Sequence, residues 1–171
     1  MKICGHRLRD HVRLLAPFLI LIGIVWLLRL CLDFAGVSRS IVRLFSVTVA
    51  CAFSILAATV VIHRSKFGSY PNVVAASLIL AAWEQALIIL AICAAALTGR
   101  ENIFTAPEFS GPGVGHHYVK HIIGQLTYGV GADVLFGAAT GCLLLWILRM
   151  ILPPTMQNRK PARPARYAVH R

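Results

Sequence analysis

Acidic side chains are scarce in this chain of 171 residues: six, against 17 Lys and Arg. Charged residues of both signs make up only 13% of the whole, about half the usual share of a soluble domain. That shortage argues against a water-covered globular fold. The five cysteines form no CxxC pair, and Cys31, Cys51, Cys93 and Cys142 lie in apolar stretches. Neither a disulfide framework nor a thiolate zinc site is expected from that pattern. No Gly-rich phosphate loop, nucleophile elbow or HExxH motif occurs, so no reaction is named and the reading leans away from an enzyme. None of the seven histidines falls at the middle of an apolar run, which disfavours axial haem ligation, and no cofactor is expected.

What the chain has in abundance is apolar surface: 58% hydrophobic residues and a mean hydropathy of +0.74. The run 73–98 is broken only by Glu84 and Gln85 and exceeds the roughly 20 residues a helix needs to cross a bilayer. Three further runs of comparable length put the spans at 14–34, 41–62, 73–98 and 128–152. The first resembles a signal peptide in its basic start, but it is long and no clear small-x-small site follows it, so it is read as uncleaved. The fold class expected is an all-α integral membrane protein, four transmembrane helices in an up-down bundle. Residues 1–13 form a basic N-terminal segment, 14–152 the membrane domain and 153–171 a basic, proline-bearing tail expected to be disordered.

The outer loop, 99–127, is the one long connection. Its Gly and Pro content marks irregular chain up to Gly115. Beyond that, Tyr118, Val119, Ile122, Ile123 and Leu126 recur at helical spacing, with His117, Lys120, His121 and Gly124 opposite. This pattern predicts a short interfacial helix between helices 3 and 4.

Basic residues set the expected orientation. With the N-terminus inside, the inner segments hold Lys2, Arg7, Arg9, Arg13, Arg64, Lys66, Arg149 and the tail's Arg159, Lys160, Arg163, Arg166 and Arg171. Only Arg39, Arg43, Arg100 and Lys120 face outward. The bias predicts a multi-pass protein of the cell inner (plasma) membrane with both termini cytoplasmic. The same placement, beside apolar runs, reads the charge excess as a topology signal, and nucleic acid is not an expected partner.

Polar residues inside the spans are the candidate functional positions. Glu84 lies near the middle of its run, where a carboxylate costs a few kcal/mol, so it and Gln85 should face protein or water. Partners for Glu84 are Arg29, Gln85, a hydroxyl such as Ser54 or another chain; protonation would also remove the cost. Arg29 and Asp33, four apart, are placed to neutralise one another. Gly129, Asp133, Gly137 and Gly141 share one face of the fourth span, and Ser46, Ala50, Ser54 and Ala58 make a matching stripe on the second. Such small-residue faces allow close helix approach, within one chain or between two copies. They would also set Arg43 and Asp133 at similar depth near the outer surface, as an ion pair.

His117 and His121, spaced i, i+4, with His116 adjacent and Glu108 upstream, invite a metal ion, but no third ligand stands at fixed spacing. Histidines on the wet face of an interfacial helix need no ligand. Three functional readings follow. The first is a non-enzymatic membrane protein acting through helix contacts, as a homo-oligomer or a subunit of a complex, with the lipid bilayer and a membrane-protein partner or second copy as its contacts. The second is a small proton- or cation-coupled transporter or channel using Glu84. The third is a metal handler using the outer histidines.

The Arg43–Asp133 pair is open to a charge swap. Arg43→Asp and Asp133→Arg should each lower stability and the double exchange should restore it; without restoration the pair falls.

Overall fold

The computed structural model describes residues 2–3, 6–65, 67, 69–105 and 118–152. Among them are four helical stretches long and apolar enough to cross a membrane: Leu8–Phe34, Arg39–Arg64, Tyr70–Thr98 and Tyr118–Ile151. A two-residue antiparallel bridge, Lys2–Ile3 with His6–Arg7, precedes the first. The tail at 153–171, the loop at 106–117 and Lys66 lie outside the described residues.

Helix α1 (Leu8–Phe34) starts six residues before the apolar run at 14. The Asp10 carboxylate accepts the Arg7 backbone N–H at 2.9 Å, half of a capping box, and places a negative charge on the first turn. The second stretch is broken. A single turn, α2 (Arg39–Val42), is followed by α3 (Val47–Arg64), whose N-cap is Ser46, accepting from the Val49 N–H at 3.3 Å. A short side chain that takes the orphan N–H groups of a new helix starts one even within an apolar run. Helix α4 (Tyr70–Thr98) is continuous, with Pro71 in its first turn and Gly99 closing it in the left-handed conformation at φ 67°. The fourth stretch joins α5 (Tyr118–Gly124) through a π-helical turn, Gln125–Gly129, to α6 (Val130–Ile151). The expected separate interfacial helix is therefore the first part of one continuous helical stretch, because the polar positions within 118–124 change solvent preference without breaking backbone hydrogen bonding.

Helix α4 packs against α1, α3 and α6 and carries more buried residues than any other described helix. At one end, buried His11 of α1 lies 3.0 Å from the Asn72 Oδ1 of α4, and Arg149 of α6 stands 4.8 Å over the Tyr70 ring. Midway, the Trp83 indole N–H donates to the Leu19 carbonyl at 3.0 Å. At the far end the Asn102 amide donates to Ala91 O, and the Ile103 N–H donates to Asp33. Polar contacts thus fasten α4 at both ends and the middle, while apolar packing fills the space between.

Helix α6 approaches through glycine. A Cβ on Gly141 would stand 2.8 Å from Val73 Cγ1 and 3.1 Å from Thr59 Oγ1; one on Gly137 would stand 2.5 Å from Ile55 Cδ1. The glycines therefore receive bulky side chains of α3 and α4, Ile55 and Thr59 being the row beside Ser54 and Ala58. Gly141→Leu should cost about 1–3 kcal/mol through overpacking. Gly23→Ala, where a Cβ meets nothing within 4 Å, should be neutral or stabilising by less than about 1 kcal/mol. Denaturant unfolding of the two variants checks the contrast.

Candidate functional site

Glu84 is at the centre of α4 and is 0% exposed. Neither of its carboxylate oxygens has a hydrogen-bond partner among the described residues. The partners expected for it are engaged elsewhere. Ser54 donates its hydroxyl to Ala50 O at 2.7 Å, Gln85 turns to α6, and the Arg29 guanidinium lies 4.9 Å over the Phe104 ring. Thr48 and Cys51 of α3 stand beside the carboxyl without a hydrogen bond of normal geometry. An unsatisfied buried polar group costs about 1–3 kcal/mol, and more when charged, so this one requires a reason.

Asp133 approaches from α6. Its Oδ2 accepts the Gln85 Nε2 donor at 2.6 Å, the one hydrogen bond described for it, while Arg43 stands exposed at the end of α2. The Gln85 Oε1 is itself buried without a donor among the described residues. Gly129 makes this approach possible, since a Cβ there would stand 2.9 Å from Gln85 Oε1 and 2.7 Å from Gln125 Oε1. The Gln125 amide in turn lies 3.2 Å from His121 Nε2. A string of polar groups therefore runs along one side of α5 and α6, from His121 through Gln125 to Gln85 and Asp133.

The two carboxyls face a cavity of about 130 Å³ between α3 and α6. Cys51, Ile55 and Gly137 form its buried floor, and Val49 and Phe136, each 67% exposed, form its rim. It opens on the outer face of the packed helices. A carboxyl with free acceptor oxygens beside such a space has capacity for a proton or a cation.

Arg29 and Asp33 close the far end of α1, 8% exposed and hydrogen-bonded to the 102–104 loop respectively. His116, His117 and Glu108 lie outside the described residues. Among the described residues, no group of three His, Cys, Asp or Glu is placed to hold a metal ion.

Thr48, Cys51 and Gln125 were not legible as site residues. A signal for Gln125 existed: His121, Gln125, Gly129 and Asp133 are four apart, and a π turn, with its wider i→i+5 bonding, reduces the drift of about 40° per step that such a row suffers on an ideal α-helix. No family model matches the chain, and no curated protein or solved structure is significantly similar to it.

A double-mutant cycle tests the helix-bridging contact. Gln85→Leu strands the Asp133 carboxylate and should cost about 1–3 kcal/mol. Adding Asp133→Ala should recover about 1 kcal/mol relative to the sum of the single losses, and strictly additive losses would remove the contact from the account.

Proposed function

We propose that the chain is a small multi-pass membrane protein that handles a proton or another cation at an intramembrane carboxylate site, Glu84 with Asp133 beside it. The observation that carries this reading is Glu84: wholly buried, with both oxygens unpartnered among the described residues, and facing a cavity. An anchoring carboxylate is consumed by its partner. Here the acceptor capacity is held in reserve.

Four stretches of suitable length and hydropathy support insertion as an up-down bundle, and the distribution of Lys and Arg supports cytoplasmic termini in a cell inner membrane. In that setting Cys51, Glu84 and Asp133 fall near the middle of their stretches, far from water at either surface. A negative charge there is expensive, so a proton is held with the strength of that cost, and any other cation with that strength less its own desolvation. Alternation between a protonated and a cation-occupied carboxyl is the coupling that follows. The string from His121 to Asp133 supplies polar groups along one helix toward the site.

A second reading is favoured by the exposed rim at Val49 and Phe136: the chain acts through helix contacts, as a homo-oligomer or a subunit of a membrane complex, with a partner helix covering the mouth.

The distinguishing experiment is flux in proteoliposomes carrying the full chain under an imposed proton or sodium gradient. Glu84→Gln should leave helix content and unfolding midpoint unchanged and reduce flux by about tenfold or more. Equal flux in the variant removes Glu84 from the mechanism, and absent flux together with a foreign subunit in native mass spectra favours the contact reading.

A further inference from the structure

We propose that the cavity between α3 and α6 binds a small organic ammonium with an apolar body, about the size of one aromatic ring, admitted sideways from the bilayer through the Val49–Phe136 rim. The inference rests on the preceding reading of Glu84 as an intramembrane cation site and names the cation.

Size comes first. A dry cavity of about 150 Å³ accepts a benzene molecule, and this one measures about 130 Å³. It is therefore large for a bare ion and too small for a drug-sized ligand, which needs about 300 Å³ or more.

The chemistry of the lining is divided. Two carboxyls line the space, and among the described residues no Lys, Arg or His does so. The walls are Ile55, Ala52, Val49 and Phe136, which offer no donor or acceptor. A hard inorganic cation takes about six oxygen ligands or keeps much of its water. Here the oxygens are two from Glu84, one Asp133 oxygen not engaged by Gln85, and the Thr48 hydroxyl, with apolar walls where hydration would have to be held. An ammonium needs fewer. Its N–H groups match the unpartnered Glu84 oxygens, and its hydrocarbon part gains from the same walls that repel a hydrated ion.

The route follows from exposure. Floor residues Cys51 and Ile55 are buried, whereas the rim lies on the outer face of the helices, which a bilayer would cover. Gly137 leaves the floor free of a side chain where the two helices meet. Proton and ammonium compete for the same carboxyl, so binding weakens as pH falls, and a bound ammonium displaces a proton where the carboxyl held one. The titratable groups facing Glu84 are Cys51 from α3 and Asp133 from α6, among the described residues.

The test uses full-length protein in lipid nanodiscs, with empty nanodiscs as the background, and benzylammonium as the calorimetric probe. Expected are saturable binding that weakens as pH is lowered, no displacement by sodium, and no saturable binding of the neutral isostere benzyl alcohol. Glu84→Gln should weaken binding by about tenfold or more, as loss of a desolvated ion pair requires. Val49→Trp, an exterior change that obstructs the mouth and leaves the carboxyls intact, should weaken it by a similar factor with an unchanged unfolding midpoint. Equal binding of benzyl alcohol, displacement by sodium, or undiminished binding in either variant would overturn the proposal. If benzylammonium does not bind but Glu84-dependent proton or sodium flux persists, the organic ligand is wrong and the cation site stands. If neither is seen, both fall.

Discussion

The rest of the molecule is arranged around the desolvation of one carboxyl group. Glu84 occupies the midpoint of the most enclosed helix, without a donor to either oxygen among the described residues. Removing such a group from water is tolerable only where the surroundings are held by other forces, and the contacts of α4 supply them. Its first turn is held at His11 and Arg149 and its middle at Leu19, while Ala91, nearer its end, accepts from Asn102 of the following loop, which Asp33 ties to α1. These contacts join α4 to α1 and α6. The helix is thereby fixed in register, and the carboxyl cannot escape to a surface by a shift of its own helix.

The neighbouring amide makes the opposite choice. Gln85 spends its donor on Asp133 and so ties α4 to α6, while Glu84, one residue earlier, faces α3 and the cavity. Two adjacent polar residues point about 100° apart on a helix, which lets one serve packing and the other remain available. The glycines of α6 complete the arrangement by bringing its backbone near enough for a short aspartate to reach.

Much of this was legible in the sequence and some was not. The four apolar stretches, and the interruption of the third by Glu84 and Gln85, are properties of local composition and were readable one residue at a time. The start of α3 was not, because Ser46 acts as a cap inside a run that hydropathy alone treats as continuous. For that reason Thr48 and Cys51, near the beginning of α3, carried no mark as neighbours of Glu84. The polar row on the last stretch was obscured by an assumed boundary near residue 127, which separated Gln125 from Gly129 and Asp133. Helix-to-helix contacts depend on rotation about each axis, and no single run of residues encodes that angle.

The continuity of α5, the π turn and α6 also has a mechanical meaning. The 34 residues from Tyr118 to Ile151 form a rod about 51 Å long, with Asp133 close to its midpoint. The contacts of Gly137 and Gly141 with α3 and α4 lie on the Ile151 side of that aspartate and make a smooth bearing, while Gly129 lies against Gln85 on the other side. From Asp133 to Tyr118 the lever arm is about 22 Å, so each degree of tilt carries the Tyr118 end through about 0.4 Å. A ligand that wedged the two helices apart at the cavity by a few degrees would thereby displace the Tyr118 end by more than an ångström.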